Sequence, residues 1–261
     1  VRGSTHVAAR IVGKTKENPK TVSFELEAEM EAAPGQFAML WLPGIDEKPF
    51  SISGTDPLMF TISRVGPFSE ALLEREVGDT LWVRGPFGKG FAVQPGRTLL
   101  VGGGYGAAPL HYLARALQAA ERGAPGNGAG TRTAGVEAAL GARTSKELLF
   151  VERFRRLGVE VHAATEDGSE GLRGRVTEVV APLLASGRFD RLCACGPEGM
   201  LESLEGLCRE ACVPAELSFE SYMRCGVGIC GSCEHESRLV CMDGPVFRIA
   251  GVGDPPGSAA R

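Results

Sequence analysis

Four cysteines crowd the C-terminal part of the chain, and they constrain its folding more than any other feature. Cys225, Cys230 and Cys233 follow C-x4-C-x2-C, and Cys241 comes after seven further residues. The segment that carries them, about 216–261, is too short for a hydrophobic core of its own. The energy that orders it must then come from something the thiolates bind. C-x4-C-x2-C is a spacing used for a [2Fe–2S] cluster. Gly226, Gly228 and Gly231 lie between the cysteines. Glycine there lets a loop wrap a bound group and brings backbone N–H groups towards sulfur. The alternative is a structural zinc ion, which also takes four thiolates. Zinc knuckles usually show two C-x2-C pairs, and only Cys230 and Cys233 make one here. The gap to Cys241 is far shorter than the gap to the fourth cysteine of plant-type ferredoxins, so this segment is not that full domain.

The chain's 261 residues suffice for two ordinary domains and a small module. Hydrophobic residues at 43% and charged residues at 23% are typical of a soluble globular protein. The net charge of −4 and the lack of a long basic run argue against nucleic acid as a partner. The longest uncharged stretch, 98–114, is interrupted by a glycine run and a proline, so it reads as strand, turn and helix and not as a membrane span. The polar N-terminus has no apolar h-region, and no secretory signal is expected in it. Eight cysteines without such a signal fit a reducing, cytoplasmic compartment, where closely spaced thiols bind metal more often than they form disulfides. Cys193, Cys208 and Cys212 sit in apolar patterns and are expected to behave as small hydrophobes.

Three segments differ in rhythm. Residues 1–95 carry short runs at 22–26, 37–42, 49–53, 59–65 and 80–83, separated by Gly- and Pro-containing turns, with one short helix near 69–76. That spacing predicts an all-β barrel or sandwich. Residues 96–215 alternate apolar strands (98–102, 136–141, 159–164, 191–195) with helical stretches (107–122, 145–157, 175–186, 198–211), and a short strand is expected at 215–219. Such alternation predicts a parallel sheet covered on both faces. The Gly-, Ala- and Thr-rich stretch 123–135 is expected to be a mobile loop, and the tail 253–261 disordered. Residues 216–261 form the cysteine module.

Two turns in the second segment suit a dinucleotide. Gly102, Gly103, Gly104 and Gly106 follow an apolar strand and open a helix, with Pro109 in its first turn. Glycine there admits a pyrophosphate to the backbone, and the helix N-terminus favours its charge. Cys195-Gly196-Pro197-Glu198 also ends a predicted strand, and ligands of open α/β sheets sit outside those ends. Each motif alone is also compatible with a plain tight turn. Lys48-Pro49-Phe50-Ser51 in the first segment offers a cation and a hydroxyl beside an apolar wall, and it too can be an ordinary strand end. Arg143 and Lys146 follow a strand end and are placed to meet a 2′-phosphate or, equally, solvent. The histidines are scattered and form no spaced ligand set.

With these pieces together, the chain resembles the ferredoxin–NADP reductase superfamily and, within it, the electron-transfer subunits of dihydroorotate dehydrogenase type B. The resemblance runs over nearly the whole length. It rests on 49–53, 85–91, 102–110, 165–169, 195–201 and 220–233, and on Cys241 with the following Met-Asp-Gly-Pro-Val-Phe. It implies a multi-domain β plus α/β architecture: an antiparallel FAD-binding β-barrel at 1–95, a parallel NAD(P)-binding α/β domain at 96–215 and a [2Fe–2S] module at 216–261. It implies FAD contacts at Lys48, Pro49, Phe50 and Ser51, at Thr61, Ile62 and Ser63, and at Phe68 and Ser69. It implies NAD(H) contacts at Gly102, Gly103, Gly104 and Gly106 and at Cys195, Gly196, Pro197 and Glu198. Cys225, Cys230, Cys233 and Cys241 would hold the cluster, Cys195 would lie near the nicotinamide, and Glu220 near flavin or cluster. Lys48 stands where the family usually has arginine, which keeps the charge but loses the two-pronged phosphate contact. Phe68-Ser69 stands where Gly-Thr is usual, so the resemblance implies a weaker hold on FAD than in typical members.

A nicotinamide exchanges two electrons at once and a [2Fe–2S] cluster one, so the implied FAD belongs between them. The implied partner is the FMN-containing catalytic subunit that oxidises dihydroorotate to orotate, in a hetero-oligomer. Subunits of hydrogenases, sulfur reductases and ferredoxin:NADP oxidoreductases share these cofactors and form the nearest alternative. A non-catalytic, zinc-stapled interaction module on a nucleotide-binding scaffold is the alternative of a different class.

Overall fold

A computed structural model of the chain describes residues 3, 5–123 and 135–249. The expected loop at 123–135, apart from its two end residues, and the expected tail lie outside the described residues. Two compact units emerge. One takes the chain up to Phe91 together with Glu220–Val246, and the other takes Ala92–Phe219 together with the chain from Phe247. The segment 216–261 is thus divided between them.

The first unit is a closed six-stranded antiparallel barrel, in the order β1 (Val7–Asn18), β2 (Thr21–Glu27), β5 (Leu58–Ser63), β4 (Asp46–Thr55), β3 (Phe37–Leu42), β6 (Thr80–Phe87). Closure removes the unpaired edges that short strands would otherwise expose. Alternate residues point inward, and Ile11, Phe24, Ile52, Phe60 and Leu81 are fully buried there. Each such side chain contributes about 1.5–3 kcal/mol by leaving water. The short helix α1 (Pro67–Leu73) follows β5. Strand β1, which the sequence reading did not resolve, is the longest of the barrel at 12 residues.

The second unit is a seven-stranded sheet. Its order is β10 (Leu172–Arg173), β9 (Glu160–Thr165), β8 (Val136–Ala142), β7 (Thr98–Gly103), β11 (Arg191–Cys195), β12 (Ala215–Ser218), β15 (Val246–Arg248). Strands β7 to β12 are parallel, as the alternation predicts. Helices α2 (Ala107–Arg122), α4 (Val176–Ala185) and α5 (Glu198–Ala211) alternate with them, and Leu99, Leu192, Leu201 and Leu204 are fully buried in the core. The helix expected over 145–157 is broken into a 3₁₀ turn at Ser145–Glu147 and α3 (Val151–Arg156), because Phe150 adopts φ +65° between them. A continuous helix cannot pass through that conformation. The Phe150 ring is held edge-on by His111 and covered by the Arg153 guanidinium at 4.5 Å.

Cys193 and Cys208 are buried as expected, and burial raises both thiols, that of Cys208 to about 12. Cys212 differs. It is exposed, because it ends α5 in the left-handed conformation and leaves the apolar stripe. Among the described residues, no helix is long and apolar enough to cross a membrane.

Candidate functional site

The cysteine loop returns to the barrel unit. Gly226 adopts φ +71°, and a Cβ added there would lie 3.3 Å from the Met39 side chain and 3.5 Å from the Phe87 ring. The loop backbone therefore lies directly on β3 and β6. Its own N–H groups turn onto sulfur. Val227, Ile229 and Cys230 donate to Cys225 Sγ at 3.4, 3.3 and 3.5 Å, Gly228 donates to Cys241 Sγ at 3.2 Å, and Cys241 donates to Cys233 Sγ at 3.5 Å. The N–H of Cys230 thus reaches Cys225 Sγ and that of Cys241 reaches Cys233 Sγ, while Gly228 ties the Cys241 thiol to the same loop. The Ser232 hydroxyl and N–H, with help from Cys225, pull the exposed Cys230 down to about 6. Burial, with the neighbouring Cys233, pushes Cys241 up to about 12. A ring of N–H donors aimed at sulfur suits a group that places negative charge on thiolates. The donor set fits a [2Fe–2S] cluster. The small hairpin β13 (Glu234–His235) and β14 (Arg238–Leu239) and the single turn α6 (Val240–Asp243) carry the chain from Cys233 to Cys241.

The three stretches implied for FAD meet on the same unit. Strands β4 and β5 are paired, and the half-buried Phe50 of β4 stacks on Phe68 of α1 with centroids 5.9 Å apart. A buried hydroxyl, Ser53 Oγ, has no partner among the described residues. It sits where the β4–β5 register shifts, between Ile52 and Gly54. The half-open Phe50–Phe68 wall fits a flavin ring, and the orphaned Ser53 hydroxyl on the same strand as Phe50 leaves a polar group to be satisfied. Several implied side chains are already engaged, however. Thr61 Oγ1 pairs with Ser23 Oγ at 2.9 Å, and Ser63 Oγ with Thr21 Oγ1 at 2.6 Å. Ser69 Oγ accepts the N–H groups of Val65 and Gly66 and donates to Gly66 O. Ile62 is fully buried in the barrel. Thr61 and Ser63 remain half-buried, whereas Ile62 and Ser69 are buried. Lys48 Nζ lies 2.6 Å from Asp46 Oδ2 and 5.3 Å from the centre of the Tyr222 ring. The Lys48 hydrogen bond, with the N–H of Glu47, holds the Asp46 carboxyl below its usual range.

In the second unit the sheet order supplies the reason for a crevice. From β7 the chain moves outward through β8 and β9, then crosses back to place β11 on the other side of β7. The carboxyl ends of β7 and β11 therefore form a switch point, the place where open α/β sheets bind ligands. Gly102 and Cys195 are partners in register there, which brings the two predicted turns together. Gly103, Gly106 and Gly196 leave no room for a side chain. A Cβ on Gly106 would lie 2.1 Å from Cys195 O, and one on Gly103 would lie 2.8 Å from both Met200 Sδ and Pro197 Cδ.

A cavity of about 500 Å³ opens beside the turns, lined by Gly103, Gly104 and Pro197 among the predicted residues. Its far wall is Arg143, Arg175 and Glu166. Lys146 is not on that wall. Cys195 is buried at the end of β11, and Glu220 is exposed in the barrel unit. The sequence reading carried Met200 only within the stretch 195–201 and gave it no contact, though it packs on both Gly103 and Gly196, and it missed the start of α4 at Arg175. Met200 gave no signal beyond an apolar helix position. The Gly-Arg pair at 174–175, just before a helical stretch, was an available cue.

Comparisons with known proteins agree with this geometry. The family model described as the iron–sulfur cluster binding domain of dihydroorotate dehydrogenase B matches residues 220–253, and the oxidoreductase NAD-binding domain matches 100–205. The chain is 39% identical to a probable dihydroorotate dehydrogenase B (NAD(+)), electron transfer subunit of Methanocaldococcus jannaschii, over 92% of this chain and 89% of that protein. It is 41% identical to the similarly named protein of Thermococcus kodakarensis, over 86% and 88%. Among solved structures, an NADH-dependent reduced ferredoxin-NADP oxidoreductase is similar with TM-score 0.80 and 31% identity, over 94% of this chain and 89% of that one. A cytochrome P450 reductase from Amycolatopsis, at 22% identity and TM-score 0.66 over 79% and 66%, shares the fold.

Proposed function

The chain belongs to the electron-transfer subunits of dihydroorotate dehydrogenase B, and on that premise we propose that it carries electrons from an FMN-containing catalytic subunit, which oxidises dihydroorotate to orotate, to NAD+. It is an NAD-linked oxidoreductase subunit that works with FAD and a [2Fe–2S] cluster. The observation that carries the reading is the cysteine loop, whose N–H groups converge on the Sγ atoms of Cys225, Cys233 and Cys241. When bound, the cluster supplies one-electron transfer and FAD the exchange between one- and two-electron transfer.

The chain's own residues do the holding. Cys225, Cys230, Cys233 and Cys241 bind the cluster. The wall formed by Phe50 and Phe68, with Lys48 and Ser51 on the same strand as Phe50, binds and orients the flavin. Gly102, Gly103, Gly104 and Gly106 let the pyrophosphate of NAD(H) approach the backbone, and Gly196, Pro197 and Glu198 frame the other side of that turn. Cys195 faces the reacting end of the nucleotide, and Glu220 serves the flavin or the cluster. As domains, 1–95 binds FAD, 96–215 binds NAD(H) and 216–261 carries the cluster. The relatives' names specify NAD(+), which supports NADH over NADPH even with Arg143 and Arg175 on the cavity wall. A cytoplasmic, reducing location is supported by the eight cysteines, none of which is in a disulfide.

The visible spectrum of anaerobically purified protein, before and after NADH, tests the reading. Flavin bands and a broad cluster absorption, both bleached by NADH, are expected. A colourless protein with bound zinc would overturn it. A second reading, a subunit of a ferredoxin:NADP oxidoreductase, is favoured by the similarity to that solved structure. Electrons delivered to ferredoxin, and none exchanged with a dihydroorotate-oxidising subunit, would select it.

A further inference from the structure

Strand β6 alternates. Leu81 and Val83 are fully buried inside the barrel, so Trp82 and Arg84 point outward. An outward arginine is ordinarily solvated at its head. The Arg84 side chain is instead only 8% exposed, and each of its three nitrogens has a partner. Nε donates to Glu47 Oε1 and Nη2 to Glu47 Oε2, both at 2.7 Å, which is the two-pronged fork that lysine cannot reproduce. Nη1 donates to the main-chain oxygen of Cys225 at 2.8 Å. The Phe87 ring lies 5.3 Å beneath the guanidinium. Glu47 is in turn held by His6 Nε2 at 2.7 Å.

The carbonyl that Arg84 grips belongs to the peptide joining Cys225 to Gly226, where φ turns to +71°. That turn sends the N–H groups of Val227, Ile229 and Cys230 back onto Cys225 Sγ. One buried cation therefore sets the point from which the cluster loop starts. A four-thiolate [2Fe–2S] centre is anionic and gains one further negative charge on reduction. A fixed cation close by favours the reduced form, and a carboxylate behind that cation opposes it.

We propose that Arg84, clamped by Glu47, is the positioning residue of the cluster: it fixes the Cys225 peptide and raises the cluster's reduction potential. The proposal rests on the reading of the four cysteines as cluster ligands. It adds an electrostatic role for two barrel residues outside the cysteine loop.

The test uses the full-length, cluster-loaded protein and three variants, Arg84→Gln, Arg84→Lys and Glu47→Gln. Iron and sulfide content, the EPR spectrum of the reduced cluster and its midpoint potential are measured for each. Arg84→Gln is expected to lower the potential, and Glu47→Gln to raise it, because the cation then stands uncompensated. Arg84→Lys is expected to restore most of the potential but to change the EPR line shape, since charge returns without the fork. Opposite signs at the two positions are a readout that a merely structural role would not give. Shifts of the same sign, or no shift at full iron content, would overturn the proposal. Should Arg84→Gln lose its iron, the direction of the Glu47→Gln shift decides. Wild-type protein without iron would sink the cluster reading itself, a different failure.

Discussion

The cysteine loop of the barrel unit and the glycine turn of the α/β unit are both short backbone cradles, yet they are held by different means. The turn at Gly102–Gly106 grows out of β7, whose residues are all buried, and it opens α2, a helix of 16 residues packed on the sheet. Its shape is set by a core that exists whether or not a nucleotide is present. The loop at Cys225–Cys233 has almost no core. Gly226 and Cys233 are its buried residues, while Ile229 is 84% exposed and Cys230 lies open. Its order comes from N–H···S contacts, from the grip of Arg84 and, once bound, from iron. A site built on a core keeps its geometry between turnovers. A site built on its ligand ties folding to occupancy.

Removal of the iron is the strongest way to break this comparison. Chelation from the reduced protein should cut hydrogen-exchange protection across 225–233 by roughly 100-fold, a modest share of the ~10 kcal/mol typical of structural metal sites. Protection in β7 and β11 should not change. Equal losses in both places would show that the glycine turn also depends on the cluster.

The converse perturbation is smaller and strikes the turn alone. Gly106→Ala would place a methyl 2.1 Å from the main-chain oxygen of Cys195, so the ends of β7 and β11 must part. Overpacking of this kind costs about 1–3 kcal/mol. NADH affinity should fall by about tenfold or more, read by titration of the flavin spectrum, with iron content and EPR unchanged. Unaltered NADH affinity would mean that the nucleotide does not use this turn.

The same contrast explains what the sequence revealed. Helices α2 and α5 and strand β11 stand where periodicity put them, since each helix lays its buried apolar stripe on the sheet. The cysteine spacing was legible because ligand geometry is local in sequence. Strand β1 was not, because Arg10, Lys14, Lys16 and Glu17 mask its two inward residues, Ala9 and Ile11. The break at Phe150 depends on His111 and Arg153 packing around one ring, which no local pattern encodes. Arg84 was illegible for a similar reason. Alternation correctly turns it outward, but only the return of a segment 141 residues later in the chain buries it.

The smallest effect probes how the barrel holds the loop. Burial pushes the Glu47 carboxyl up, but the hydrogen bonds and charges of Arg84 and His6 outweigh it, and the group lies below the ordinary glutamate value of 4.5. A carboxyl depressed in the folded state stabilises it fully above the unfolded value, and that stability is lost as pH falls through the lower, folded value. The chain's two tryptophans make the loss readable in one unit alone. Trp41 and Trp82 are cross-strand neighbours on the barrel with ring centroids 5.8 Å apart, and Trp41 is paired in register with Glu47. Urea unfolding followed by tryptophan fluorescence should show a midpoint that declines as pH falls below about 4.5. In Glu47→Gln the midpoint should already be lower at neutral pH, with part of the acid slope gone. An acid slope identical in the two proteins would mean that Glu47 gives Arg84 no anchorage. The loop would then be held to the barrel by packing at Met39 and Phe87 alone.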